Sequence, residues 1–147
     1  MGATMAALPR VVVDTNVVVA GLRSKKGASY RMLSAIGTGR FEIALSVPLV
    51  LEYEDALLRH LAVTSLSQAD VDAVLDYFCR VAHQQEIFFL WRPYLPDPKD
   101  DMLLELAVAA GCQIIVTHNL RDFAGVGRFG IEALSPAAFL TRIGVLA

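Results

Sequence analysis

Acidic side chains follow two hydrophobic segments that have the composition of buried strands. Asp14 comes directly after residues 11–13, three consecutive valines that need burial on both faces. Asp122 comes shortly after residues 113–117, a second predicted buried strand. Ligands of parallel α/β sheets lie at the carboxyl ends of the strands, so Asp14 is a candidate for a functional site. Capping of the next helix by Asp14, helped by Asn16, is the alternative.

Further acids occur in two predicted helices with few cations nearby. Asp97, Asp100 and Asp101 surround the start of the helix before the fourth strand, and only Lys99 lies among them. A helix dipole favours acids in the first turn by about 0.3–1 kcal/mol, which accounts for one or two of the three. Glu52 has no cation one helical turn away and lies at the edge of an apolar stripe. Both groups are therefore candidates for the site at the strand ends.

Carboxylates gathered at one edge of a sheet would repel one another unless a divalent cation lay between them. Oxygen ligands suit Mg²⁺ or Mn²⁺, and the sequence lacks a His and Cys set that would favour zinc. Mg²⁺ held by a few carboxylates and phosphate oxygens is the arrangement of phosphoryl-transfer enzymes. The candidate metal ligands are Asp14, Glu52, Asp100, Asp101 and Asp122.

Strands and helices that would position these residues alternate along the whole chain. Strands are predicted at residues 11–13, 41–45, 86–91, 113–117 and 131–134. Helices are predicted at residues 16–22, 28–38, 46–61, 67–82 and 135–140, with one more that begins at the acids after residue 96 and ends near residue 110. This alternation predicts an α/β fold with a parallel sheet, in which the first and fourth strands are neighbours.

The length predicts a single domain over residues 1–147. Hydrophobic residues make up 55% of the chain and charged residues 19%, which predicts that a surface is covered by a partner. The aromatic residues of segment 88–91 make a homodimer the expected assembly. The net charge of -2 gives the whole chain no general affinity for nucleic acid.

The expected location is the cytoplasm. No apolar run approaches the roughly 18 residues that a membrane span requires, and the first residues lack the basic segment of a signal peptide. Cys79 and Cys112 lie far apart without metal-binding spacing, which is typical of reduced, buried thiols.

Four segments carry the acids in a fixed order along the chain. They are VVVDTNVVVAGL at Asp14, SVPLVLEYEDAL at Glu52, DPKDDMLLELA at Asp100 and Asp101, and IIVTHNLRDF, which contains Asp122. In this order and at these spacings they resemble the PIN-domain family of metal-dependent ribonucleases, especially the VapC-like toxins and their relatives. The resemblance covers residues 10–140. It implies a three-layer α/β/α sandwich with a central parallel sheet of about five strands.

The resemblance also implies an activity, which is hydrolysis of RNA phosphodiester bonds with one or two Mg²⁺ or Mn²⁺ ions. The catalytic acids it implies are Asp14, Glu52, Asp101 and Asp122. The polar residues it implies as their support are Thr15, Asn16, Thr117 and Asn119. The nearest candidates for holding the RNA backbone are Arg23, Lys25, Lys26 and Arg121. Membership among the toxins of toxin–antitoxin pairs would add an antitoxin protein as partner.

Two positions leave the ligand set open. Many family members carry an acid where this chain has Asn119, so either Asp122 replaces it or the amide oxygen of Asn119 binds metal. Asp97 and Asp100 compete with Asp101, which we favour because it lies on the flank of the apolar stripe in line with Glu105.

Two other functions compete with nuclease activity. A module that binds RNA or protein through a weakened metal site would also show Asn119. A phosphatase with an aspartyl nucleophile also begins with a strand that ends in Asp, but its usual family needs a second acid two residues on, where this chain has Asn16.

Overall fold

Within residues 8–87 and 94–145, which the computed structural model describes, five parallel strands form one sheet. They are β1 (Arg10–Val13), β2 (Glu42–Leu45), β3 (His83–Gln84), β4 (Ile114–Val116) and β5 (Glu132–Leu134). The strand order is β3-β2-β1-β4-β5, and every neighbouring pair is parallel. The predictions of a parallel α/β sheet and of adjacent first and fourth strands are therefore confirmed.

Six α-helices in these described residues cover the two faces of the sheet. They are α1 (Thr15–Arg23), α2 (Ala28–Ala35), α3 (Val47–Arg59), α4 (Gln68–Val81), α5 (Pro98–Ala109) and α6 (Pro136–Arg142). The helices α6, α2, α1, α3 and α4 pack on one another in that order, and α5 packs on β1, β2 and β4. This is the predicted three-layer α/β/α sandwich. None of the described helices is both long and apolar enough to cross a membrane.

Side-chain capping is observed at the start of two helices. The Ser46 hydroxyl accepts a hydrogen bond from the amide of Leu49, one turn into α3. At the start of α4, the Asp70 amide donates to the Ser67 hydroxyl at 3.1 Å, and the Ser67 amide donates to the Asp70 carboxylate at 2.9 Å. These reciprocal bonds satisfy two of the amide groups that a helix start leaves unpaired.

The third strand lies earlier in the chain than predicted. It was expected at residues 86–91, but β3 pairs Ala44 with His83 and Leu45 with Gln84. The ladder ends with a bond from the Gln85 amide to the Leu45 carbonyl, and residues 86–87 have no regular structure. Residues 88–91 lie outside the described part of the chain. An edge strand is paired on one side only, so its polar sequence does not show the hydrophobic pattern of a buried strand.

The central strands place the site at the edge of the sheet. The valines of β1 and residues Ile115 and Val116 of β4 are almost fully buried beneath both helix layers. Their register pairs Val13 with Val116, so the next residue of each strand, Asp14 or Thr117, lies at the same carboxyl edge. The hydrophobic core therefore holds these two polar residues side by side at the switch point of the sheet.

Candidate active site

Asp14 is bonded to the end of the neighbouring strand. Its amide donates to the Val116 carbonyl at 2.8 Å, and the Thr117 hydroxyl donates to its Oδ2 atom at 2.8 Å. Thr117 is fully buried, and its Oγ1 atom also accepts a bond from the Asn119 amide at 3.0 Å. By position Asp14 is the N-cap residue of α1, but this side-chain bond runs across the sheet to β4. The Asp14 carboxylate is thereby fixed at the switch point.

The pKa of Asp14 is raised above its ordinary value, mainly by burial of the carboxyl group. The negative charge of Asp122 raises this pKa further. The hydroxyl of Thr117 and the nearby backbone amides of Asn16 and Thr15 act in the opposite direction, because they stabilise the ionised form. The net rise is therefore due first to the burial of the Asp14 carboxyl group.

Glu52 reaches the same edge from α3, and its neighbour Tyr53 fixes that helix against the sheet. The Tyr53 hydroxyl donates a buried hydrogen bond to the carbonyl of Val13, the last residue of β1. Burial, followed by the charge of Asp14, raises the pKa of Tyr53 well above its ordinary value, so the hydroxyl keeps its proton. The Glu52 side chain is 19% exposed, and its Oε1 atom lies 3.5 Å from Lys99 Nζ. The Tyr53 bond therefore links the Glu52 position to that of Asp14.

Asp100, in the first turn of α5, is repelled by the negative charges of the other acids near the pocket. Its pKa is raised to about 6, first by burial and then by the charges of Asp14, Asp97, Asp122 and Asp101. Because an electrostatic effect of this kind requires proximity, these acids are close neighbours in the folded chain.

An open pocket of about 210 Å³ contains most of the predicted site. Its acidic lining residues are Asp14, Glu52, Asp97, Asp100 and Asp122. Its other lining residues are Thr15, Asn16, Lys99, Met102, Leu103 and Asn119. The fold thus brings acids from four separate stretches of sequence to one cavity. Among the predicted supporting residues, Thr15, Asn16 and Asn119 line the pocket, and Thr117 lies beneath Asp14.

Asp101 is placed differently from the prediction, which favoured it over Asp100. It is 8% exposed and lies outside the pocket lining. Its Oδ1 atom accepts hydrogen bonds from the amides of Tyr94, at 3.2 Å, and Leu95, at 2.8 Å. The carboxylate therefore anchors the loop before α5, and the pocket position falls to Asp100. A flank position on the apolar stripe was compatible with either role.

The predicted RNA-binding cations are scattered. Arg23 lines a second cavity beside the acidic pocket. Lys25 and Lys26 are exposed in the turn after α1, and Arg121 is exposed in the 3₁₀ turn Leu120–Phe123. These three side chains lie outside the lining of both cavities. Of these four cations, only Arg23 lines a cavity that shares residues with the acidic pocket.

Sequence reasoning missed two groups that support the site. One is Tyr53, which lies in the buried stripe of α3. The sequence signal that could have revealed its role is a tyrosine at a buried position, because a buried hydroxyl needs a hydrogen-bond acceptor. The other is the bond of 2.8 Å between Ser29 and His118, with the His118 amide donating to Asn16 Oδ1 at 3.4 Å. Ser29 and His118 are 89 residues apart in the sequence, so no local sequence pattern predicts this hydrogen bond.

The donor set fits Mg²⁺ or Mn²⁺ by its chemistry. The pocket offers carboxylate oxygens, which are the preferred ligands of these ions, and burial, followed by the charges of neighbouring acids, raises the pKa values of Asp14 and Asp100. In residues 8–87 and 94–145, however, no three His, Cys, Asp or Glu side chains are placed closely enough to hold an ion. Binding therefore requires these carboxylates to turn toward one another.

Fold and pocket together define a class, namely α/β proteins with a cluster of carboxylates at the switch point of a parallel sheet. A family model described as a PIN domain matches residues 10–121, so the chain belongs to the PIN-domain family. Proteins of this family are generally nucleases. The family resemblance found in the sequence is thus confirmed.

Among solved structures, the chain is similar to the crystal structure of VapBC2 from Rickettsia felis bound to a DNA fragment from the promoter. The TM-score is 0.56 at 14% sequence identity, and the match covers 86% of this chain and 99% of that chain. At this identity the likeness shows a shared fold. No curated protein matches the sequence.

Proposed function

We propose that this protein is a metal-dependent endoribonuclease that hydrolyses RNA phosphodiester bonds at the acidic pocket. The observation that carries the proposal is the convergence of Asp14, Glu52, Asp100 and Asp122 on one cavity at the switch point. Membership of the PIN-domain family, whose proteins are generally nucleases, supports it. Burial and then the charges of the neighbouring acids raise the pKa of Asp100, which agrees with their convergence on one cavity.

The four acids have the role of metal ligands in this proposal. Bound Mg²⁺ or Mn²⁺ would supply Lewis-acid chemistry, polarising a phosphate oxygen and lowering the pKa of water. The Thr117 hydroxyl holds the Asp14 carboxylate in place by a hydrogen bond. The backbone amide of Asn119 donates a hydrogen bond to the same hydroxyl oxygen. Asp122 takes the position of the acid that many relatives carry at Asn119. Asp101 supports the site indirectly by holding the loop before α5.

Lys99 is the cation that lines this pocket. Its Nζ atom lies 3.5 Å from Glu52, and its side chain is 62% exposed. Because the ammonium group is exposed and 3.5 Å from the carboxylate, this ion pair contributes on the order of 1 kcal/mol, and a divalent cation can replace the ammonium group at Glu52 without much loss. Lys99 then becomes available to a phosphate of the substrate.

The test is RNA cleavage by the purified protein with and without divalent metal. We expect activity with Mg²⁺ or Mn²⁺ and its loss in EDTA. Asp14→Asn should abolish cleavage and leave the melting temperature equal or higher, because it removes a carboxylate that the fold disfavours in its charged form. Asp72→Asn, at an exposed acid of α4, is the matched control. Full cleavage in EDTA by both the wild type and Asp14→Asn would refute the mechanism.

A second candidate is a module that binds RNA or protein without cutting. As placed, no three of the acids in residues 8–87 and 94–145 are close enough to hold an ion, and this finding and the presence of Asn119 favour it. Calorimetry separates the two functions, because a nuclease must bind Mn²⁺ at the pocket and Asp14→Asn must weaken that binding.

The proposal extends to assembly, partner and location. VapBC2 was crystallised with promoter DNA, and by analogy we propose an antitoxin-like protein partner for this chain. A gene for a small DNA-binding protein directly beside this one would support that partner.

We further propose that one domain spans residues 1–147 and acts as a homodimer, although the aromatic segment 88–91 lies outside the described residues. The free thiols of Cys79 and Cys112 accord with action in the cytoplasm.

A further inference from the structure

A second cavity, which we call the α1–α3 groove, continues from the acidic pocket between those two helices. Its volume is about 610 Å³, and it shares Thr15, Asn16 and Glu52 with the pocket. The shared residues make one continuous surface of the two cavities. Helix α1 begins beside Asp14 and has nine residues, so it extends about 13 Å away from the acids.

Basic side chains line this groove at the ends of both helices. Arg23 is the last residue of α1, Arg59 is the last residue of α3, and His60 follows Arg59. Arg59 Nη2 lies 3.2 Å from Asp55 Oδ2, but both side chains are more than half exposed. Such a surface pair is worth about 0–1 kcal/mol, so Arg59 remains able to bind another anion.

The floor of the groove between the acids and these cations is formed by small apolar side chains. Val19 and Ala20 come from α1, and Ala56 comes from α3. Apolar surface of this kind accepts the face of any base. The groove therefore combines an acidic end, an apolar floor and a basic end.

We infer that the α1–α3 groove binds the single-stranded RNA chain next to the bond that is cut, with Arg23 and Arg59 contacting its phosphates. The inference rests on the proposed nuclease function. If one phosphate of an RNA chain lies at a metal held by the acids, its neighbouring phosphates are within reach of Arg23 and Arg59. The metal then neutralises the charge at the acidic end of the groove, and the phosphates neutralise the charge at the basic end. Apolar side chains on the floor can contact base faces only where the bases are unpaired, which favours a single strand over a duplex. An apolar protein segment would leave both guanidinium groups without anions.

The test measures binding of labelled single-stranded polyuridine RNA to the full-length protein in EDTA, where cleavage is not expected. Arg23→Ala and Arg59→Ala should each weaken binding. Each should also reduce the slope of log K against log salt by about 0.7, the value for one phosphate contact on a single strand. Arg23→Lys and Arg59→Lys keep the charge and should keep the slope. The control Arg40→Ala removes an exposed arginine before β2, at the opposite edge of the sheet, and should change neither quantity.

Kinetics with Mg²⁺ or Mn²⁺ give a second readout. Arg23→Ala and Arg59→Ala should raise KM and leave kcat near the wild-type value, because the phosphate contacts lie away from the acids. Both arginines are exposed, so the melting temperatures should stay close to that of the wild type. An alanine variant whose lysine counterpart restores affinity would exclude a merely structural effect.

Several outcomes would overturn the inference. If both alanine variants bind RNA with wild-type affinity and salt slope, the groove is not the RNA site, and cleavage by the wild type would leave the proposed nuclease function intact. If they bind RNA normally but lose a protein partner, the groove is a protein-binding site. If the wild type fails to bind RNA at all, inference and proposed function fall together. RNA binding that depends on both arginines, in a protein that does not cleave, would support the groove and refute the nuclease.

Discussion

Replacement of Asp100 by asparagine should stabilise the metal-free protein, because the folded state disfavours the charge on this side chain. Its pKa of about 6 in the folded protein, against 3.8 expected of the unfolded chain, corresponds to about 3 kcal/mol. The side chain is partly exposed, and solvent screening reduces this figure to about 1 kcal/mol. We therefore expect Asp100→Asn to raise the free energy of unfolding by about 1 kcal/mol at neutral pH.

The effect has a defined pH dependence. Because the folded protein binds the Asp100 proton more tightly than the unfolded chain, the stabilising contribution of the protonated carboxyl is complete below pH 3.8. It is lost as the pH rises toward about 6. The wild type and Asp100→Asn should therefore be about equally stable near pH 3.8, and the difference between their free energies of unfolding should be complete above about pH 6.

Alanine at the adjacent position, Asp101, should have the opposite effect on stability. The Asp101 carboxylate accepts hydrogen bonds from the amides of Tyr94 and Leu95, and Leu95 is only 5% exposed. Asp101→Ala leaves both amides without this acceptor, which should lower the free energy of unfolding by about 2–4 kcal/mol. Asp101→Asn retains an oxygen acceptor and should cost less.

Urea unfolding in EDTA, followed by circular dichroism, measures both changes, with Asp72→Asn as control. In cleavage assays with Mn²⁺, Asp100→Asn should lower the rate by about a hundredfold or more, on the order of 3 kcal/mol. Asp101→Asn should retain most of the activity. If Asp100→Asn instead destabilises the protein and Asp101→Ala leaves its stability unchanged, the assignment of the two acids is reversed.

Three further predictions concern the surroundings of the pocket and the assembly. Lys99→Ala removes a cation that competes at Glu52, so calorimetry should show Mn²⁺ binding up to about fivefold tighter; weaker binding would contradict this role. Tyr53→Phe leaves the buried Val13 carbonyl without its hydroxyl donor, and urea unfolding should show a loss of about 1–3 kcal/mol; an unchanged midpoint would refute the link between α3 and β1. Light scattering at micromolar concentration should show a homodimer, and a monomer would disprove it.

Local chemistry in the sequence determined the fold class and the strand-end position of Asp14. Three consecutive valines demand burial on both faces, as in a central strand of a covered parallel sheet. Ser67 and Asp70 bond to amides within three residues, so the start of α4 depends little on the rest of the chain. Alternation of such elements leaves few topologies, and the acids after β1 and β4 meet in the common one.

Tertiary structure alone decided where β3 lies. A strand at the edge of a sheet is held by backbone bonds to one neighbour, and His83 and Gln84 meet that requirement without an apolar pattern. The strand was predicted at residues 86–91 because that segment is hydrophobic, but hydrophobicity indicates burial and does not by itself specify the secondary structure. The same limit applied to the α1–α3 groove, whose two arginines are brought together only by the packing of their helices.

The choice between Asp100 and Asp101 was likewise made by the fold. Adjacent helical residues project about 100° apart, and both acids lie beside the apolar stripe of α5, so their spacing is compatible with either role. The loop before α5 brings two amides to Asp101, while the ends of β1 and β4 bring other acids to Asp100. A carboxylate takes its role from the donors and charges around it, and these arrive from parts of the chain that local sequence does not relate to one another.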